Sequence, residues 1–329
     1  MFKINVSANA DNLNNLLPAA ENISAYTDFE HFFYKAALSA HALPQEIHEA
    51  FYHFTREHSP EAGLFLYGLP TDIALPPTPI SSQDRIYKTT CASEFWLCCI
   101  ASLLGEPVAY IQEKQGGIFH NIFPTPTNAY LLSSESSAID LDFHTEIAFH
   151  PFLPDYLLLY GLRQDPEKGT ITSFTSVRRI LNELSTDLCD ILFEPLFKTG
   201  IDYSFGSPNG AKGNGPVLSV LYGDQQDPFL RFDSDLMIGT TDEAQQALDE
   251  LKRIIPMLQE SVILEPGALL VLNNRRCVHA RSQFPAYYNG LDRWIQRMLV
   301  VESLRPSCKE RDRENRRIIT TDFRSWFVA

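Results

Sequence analysis

From Pro107 to Glu302 the chain carries short apolar runs set apart by Gly, Pro and Asn: PVAYIQ (107–112), YLLLYGL (156–162), ITSFTSV (171–177), VLSVLYG (217–223), FLRFD (229–233), LLVLNN (269–274) and RWIQRMLVVE (293–302). Runs this short, at this spacing, read as the strands of a sandwich or barrel. GLFLYGLP (63–70) reads as one strand more. Outside these runs the period changes. Between Thr27 and His58 apolar residues recur at three and four (Phe29, Phe32, Phe33, Ala36, then Ile47, Phe51, Phe54 after Pro44), which predicts two amphipathic helices. SEFWLCCIASLLG (93–105) reads as a helix with a serine cap and a glycine stop. VRRILNELSTDL (177–188) and TDEAQQALDELKRIIPMLQ (241–259) read as helical interludes, and the glycine-rich GSPNGAKGNGP (206–216) as a mobile flap. The charged tail after Pro306 reads as a loosely held, solvated end.

Composition narrows the function. With 44% hydrophobic and 21% charged residues, the 329-residue chain belongs with globular proteins. A formal net charge of −14 repels phosphate backbones and anionic lipid surfaces, so neither nucleic acid nor a membrane is expected as a partner. The six cysteines show no CxxC spacing and no apolar stretch nears the ~18 residues of a membrane span, which predicts free thiols and a cytoplasmic protein. Composition says nothing of oligomeric state.

Two segments carry chemistry: LDFHTEIAFHP (141–151) and LLVLNNRRCVHARSQF (269–284). Residues two apart on a strand share a face, so His144 and Glu146 are expected to point the same way. His279, just after an apolar strand, is the natural third donor. Two His and one carboxylate leave three positions open on an octahedral metal, the arrangement of non-haem Fe(II) oxygenases. A zinc-type hydrolase could use the same three donors. Farther on, Arg293, Ile295 and Arg297 share a strand face. A buried guanidinium needs an anion, and a 2-oxo diacid that chelates the metal at one end and reaches an arginine at the other would meet both needs. Cys277 shares the face of His279 but reads as a small buried hydrophobe, and His150 as a structural group rather than a fourth ligand.

The runs HTEIAFHPFLPDYLLLYGLRQD, LYGDQQDPFLRFD, LEPGALLVLNNRRCVHARSQF and YYNGLDRWIQRMLV resemble those of the clavaminate synthase-like Fe(II)/2-oxoglutarate oxygenases, from about position 63 to 305. The resemblance implies a mainly β fold, a double-stranded β-helix or jelly-roll with flanking helices. One oxygenase domain over 1–329 is then expected, with a helical part (1–60), the β core (61–305) and the tail (306–329). It implies Fe(II) on His144, Glu146 and His279, with 2-oxoglutarate and O2 as co-substrates. Arg297 would hold the far carboxylate of 2-oxoglutarate, with Arg293 nearby and Thr170 or Thr172 assisting. The family usually has Asp-Asn where this chain has Asn273-Asn274, a turn position.

The resemblance also points to an amino acid substrate, with Glu113 meeting its amino group and Ser134 its carboxylate. Asp233 and Asp235 are two apart, and neighbouring carboxylates repel unless a cation lies between them. A basic amino acid, arginine or else lysine or ornithine, is the expected substrate. Asparagine or another neutral amino acid is the alternative, as are desaturation and cyclisation in place of hydroxylation.

Overall fold

YLLLYGL and RWIQRMLVVE become the adjacent centre strands, Tyr156–Arg163 and Trp294–Val301, of an eight-stranded sheet. The computed structural model describes residues 1–56, 59–82, 84, 86 and 88–323. Both strands are almost wholly buried because both faces of the sheet are covered. Tyr156, Leu158, Tyr160, Met298 and Val300 face the helices Phe29–Ala40 and Ala92–Ser102, while Leu157, Leu159, Ile295 and Leu299 face a second sheet. A strand sandwiched this way favours apolar residues on both faces, which is why these runs show no regular alternation; the buried Gln296 and Arg297 are the departures.

Outward from Tyr156–Arg163 come Leu269–Asn273, Gly63–Tyr67 and, in parallel, Phe2–Asn5. Trp294–Val301 is flanked by Glu106–Tyr110 and, toward its start, by His120–Ile122. The tail does not lie loose. Ile318 and Ile319 pair with Ala109 and Tyr110, and the buried Arg317 guanidinium is paired with Glu30 of the first long helix and with Glu106. Most charges at 309–316 are exposed, as a solvated surface requires, but Arg317 is not, and its partners lie over 200 positions away in the chain. Residues 324–329 of that tail, like Glu57 and His58 at the end of the predicted helical stretch, lie outside the described residues.

The second sheet orders Glu260–Val262, Thr172–Ser176, Cys277–Arg281 and Leu141–His144, all antiparallel. A turn at 274–276 carries the chain from the large sheet into this one, where the two segments that carry chemistry lie on neighbouring strands. VLSVLYG and FLRFD form only two-residue pairings, Val217–Leu218 with Phe197–Lys198 and Leu221–Tyr222 with Phe229–Leu230.

The predicted helices form at Phe29–Ala40, Gln45–Phe54 and Ala92–Ser102. The first turn of the last is capped by Asp72, whose two oxygens accept Ala92 N–H at 2.9 Å and Ser93 N–H at 3.1 Å; Ser93 itself lies inside the turn. The interlude near 177–188 splits into Val177–Leu181 and Thr186–Phe193, each with its own serine cap. Asp242–Ile254 is capped by Thr241, as its Thr-Asp start suggests. Among the described residues no helix is long and apolar enough to cross a membrane.

Candidate active site

His144 ends the strand Leu141–His144, and His279 stands opposite it on the neighbouring strand, ring centroids 4.2 Å apart. Glu146 is placed differently from the two-residue expectation. The strand stops at His144 and the chain turns, with Ile147 at φ +54°. Asn274, from the turn between the sheets, grips the Glu146 backbone and so aims its carboxylate. One donor atom from each of His144, Glu146 and His279 falls within 4.8 Å of the others.

The donor chemistry fits a divalent cation. His144 Nδ1 lies 2.8 Å from the Asp142 carbonyl, so that nitrogen carries the proton and Nε2 keeps its lone pair. Burial, with His144 and Arg297 adding to it, pushes the His279 imidazole well below its ordinary value, which keeps it neutral. Two imidazole nitrogens and one carboxylate oxygen suit Fe(II).

Arg297, expected to receive the far carboxylate of 2-oxoglutarate, is already engaged. Its Nη1 donates to Glu146 Oε1 at 2.6 Å, and its Nη2 donates to both oxygens of Glu113 at 2.9 Å and to His120 Nδ1 at 2.6 Å. Burial and the Arg297 charge push His120 down to about 4, so its ring is the neutral acceptor this contact requires. Arg293, four residues earlier and lining the same cavity, carries no such partners. It is 5% exposed, forms no ion pair among the described residues, and sits 3.5 Å from Thr172 Oγ1. Burial, then the neighbouring Arg281, pushes its value down to about 9. Thr172 lines the cavity with it; Thr170 instead donates its backbone N–H to Asp165 at 3.0 Å, off the cavity wall.

The other end of the cavity is acidic. Asp233 forms an isolated bridge with His144, and its Oδ1 accepts the N–H groups of Asp235 at 2.9 Å and Leu236 at 2.8 Å. Burial raises both Asp233 and Asp235, the latter helped by Asp142. Glu113 is held low: burial would raise it, but the Arg297 charge and its hydrogen bonds outweigh that. Ser134 also faces the cavity. Asp202 joins them and was not foreseen. Burial, then Asp233, Glu146 and Glu113, holds its carboxyl well above the usual range. Its neighbourhood, GIDYSFG, carries no pattern that marks it.

Three side readings resolve simply. His150 accepts Phe152 N–H on Nδ1 at 2.9 Å inside a cluster with Tyr110, Phe149, Phe205 and Phe323, away from the metal donors. Cys277 is buried in the core between the sheets, where the lack of water raises its thiol. The segment 206–216 is more tethered than a free flap: Asn209 Oδ1 accepts Leu132 N–H and Asn214 Oδ1 accepts Ile201 N–H, both at 2.9 Å.

Residues 92–299 match the family profile described as "Taurine catabolism dioxygenase TauD, TfdA family". L-lysine 3-hydroxylase of Catenulispora acidiphila is 34% identical over 276 residues, 82% of this chain and 75% of that protein. Clavaminate synthase 2 of Streptomyces clavuligerus is 32% identical over 276 residues, 83% of this chain and 84% of that protein. Among solved structures, asparagine oxygenase with Fe(II), 2S,3S-3-hydroxyasparagine and succinate superposes with a TM-score of 0.88 at 30% identity, over 98% of this chain and 100% of that one. The non-haem iron oxygenase OrfP with Fe, succinate and (3S)-hydroxy-L-Arg gives a TM-score of 0.85 at 27% identity, over 97% and 99%.

Proposed function

The chain belongs to the TauD/TfdA dioxygenase family of non-haem iron, 2-oxoglutarate-dependent enzymes, and we propose that it hydroxylates a side-chain carbon of a free basic L-amino acid: arginine, or else lysine or ornithine. The observation that carries the substrate is the trio Asp202, Asp233 and Asp235. All three face the cavity, all three have raised carboxyls, and none forms an ion pair among the described residues. Crowded carboxylates of this kind are relieved by a cation, which a guanidinium or ammonium group supplies. The lysine hydroxylase and the OrfP complex support the same class.

In this reading His144, Glu146 and His279 hold Fe(II), and Arg293 with Thr172 receives the far carboxylate of 2-oxoglutarate. Bound iron supplies the oxidative chemistry, in which O2 and 2-oxoglutarate give succinate, CO2 and a hydroxylated substrate. The chain itself supplies position. Arg297 locks Glu113 and Glu146 in place; Glu113 meets the substrate amine and Ser134 its carboxylate; the acidic trio holds the far cation, and the C–H bond nearest the metal is the one attacked. The facing sheets are read as a double-stranded β-helix of jelly-roll type, forming one cytoplasmic domain with the N-terminal helices and the paired tail.

Asparagine is the second reading, favoured by the likeness to asparagine oxygenase; an amide N–H could also donate to Asp233. Succinate formation by Fe(II)-loaded protein with 2-oxoglutarate in air, across a panel of L-amino acids and with product mass read in parallel, decides between them. Stimulation by arginine, lysine or ornithine with a one-oxygen gain supports the cation pocket. Stimulation by asparagine alone removes it, and a two-hydrogen loss in place of the oxygen gain identifies desaturation or cyclisation.

A further inference from the structure

Arg281 lies two residues beyond His279 on the same strand and faces the same cavity as Arg293. Its guanidinium is 7% exposed. Nη2 donates to Ser136 Oγ at 2.7 Å and Nη1 to the Ser282 carbonyl at 3.4 Å. Both arginines rest on one ring: the Arg281 Cζ is 5.2 Å and the Arg293 Cζ 5.8 Å from the Phe284 centroid. Neither forms an ion pair among the described residues. Asp140 and Asp165 act on them only from beyond contact distance.

Two buried like charges without an anion are costly, and the cost is recovered only when negative charge enters between or beside them. One guanidinium is enough to bind a carboxylate by its fork. The second adds field rather than fit, and field is felt by a charged ligand and ignored by a neutral one of the same shape. Resting on the reading of this end of the cavity as the 2-oxoglutarate site, we propose that Arg281 is a second cation of that subsite, a specificity-determining residue that selects 2-oxo acids ending in a carboxylate over those with a neutral end.

The test is calorimetric binding to the Mn(II)-loaded protein without oxygen, comparing 2-oxoglutarate with 2-oxobutyrate, which lacks the far carboxylate. Arg281→Gln is expected to weaken 2-oxoglutarate about tenfold, the size of one charge-assisted contact, while 2-oxobutyrate and Mn(II) bind as before. Arg281→Lys recovers most of the loss. Equal weakening of both oxo acids, or no weakening, overturns the proposal, the former by showing that the Ser136 and Phe284 contacts matter only for packing. Arg293→Gln gives an independent reading that needs no change at Arg281: residual preference for 2-oxoglutarate supports the second cation, and equal binding of the two acids overturns it. A wild-type protein that binds neither oxo acid brings down the co-substrate site itself; a wild type that prefers 2-oxoglutarate beside an unchanged Arg281→Gln brings down Arg281 alone.

Discussion

Asn274 clasps the backbone of Glu146 from both sides: its Oδ1 accepts the Glu146 N–H at 2.8 Å, and its Nδ2 donates to the Glu146 carbonyl at 3.0 Å and to the Pro154 carbonyl at 2.9 Å. Because Glu146 lies past the end of its strand, this clasp aims the carboxylate proposed above as the third metal donor. Asn274→Ala is expected to weaken Mn(II) or Fe(II) binding about 10–100-fold, as losses behind a metal ligand do, and to lower stability by about 1–3 kcal/mol through unmet backbone groups. Metal titration and denaturant unfolding read the two effects separately. Stability lost with metal affinity intact would show that the clasp serves folding alone.

The two arginines of the Trp294–Val301 approach divide their work, and kinetics should separate them. Arg293→Gln is expected to raise the KM for 2-oxoglutarate about 30–100-fold, with the amino acid KM little changed, because a charged hydrogen bond is lost. Arg297→Gln leaves Glu113 and Glu146 buried without their partner, and breaking such a pair typically costs about 3–5 kcal/mol. Its signature is a fall in unfolding free energy. An Arg297 variant that is stable and defective only toward 2-oxoglutarate would reverse this assignment.

Asp202 gives a dependence on pH. Its folded-state carboxyl is raised, so the folded protein holds that proton more tightly than the unfolded chain does. Stability of the substrate-free protein therefore falls as pH rises from the usual aspartate range through the raised value. Asp202→Asn removes this penalty and is expected to raise Tm at neutral pH by about 1–4 °C, while weakening binding of a basic amino acid. In the wild type, affinity for that amino acid should grow with pH over the same interval. Thermal melts and calorimetry at several pH values check both; a lower Tm for the variant would contradict the crowding of carboxylates.

Segment 206–216 directly follows the cavity-lining Asp202–Ser204 and reaches Leu132 through Asn209. If it shields the oxidation from water, replacing Gly206–Gly215 by a short linker lowers the ratio of hydroxylated product to succinate while succinate still forms. An unchanged ratio removes the shielding role.

Much of this architecture was legible where the signal was local. YLLLYGL shows a strand covered on both faces by its unbroken apolarity, and His144 was singled out by its His-x-Glu spacing and His279 by the apolar strand before it. Glu146 does stand beside the two histidines, but a tertiary clasp from Asn274 does what strand periodicity was credited with. Arg293 and Arg297 were placed on one face, but which of them is free depends on Glu113, 184 positions earlier. No local pattern reports that pairing. Asp202 and Arg281 escaped for the same reason: each matters through neighbours brought up by distant strands.

The order of strands in the large sheet has a consequence for how the protein comes into being. Trp294–Val301, the strand that joins Tyr156–Arg163 to Glu106–Tyr110, and Leu269–Asn273, the other neighbour of Tyr156–Arg163 in the sheet, are both made more than a hundred residues after it. During translation the apolar YLLLYGL must wait for more than a hundred further residues before either neighbour exists. Pairings so distant in sequence close slowly, on the scale of milliseconds to seconds, and leave sticky strand edges uncovered meanwhile. Slow expression in the cold is therefore expected to give a larger metal-competent fraction than rapid expression does, and equal fractions would count against this cost of strand order.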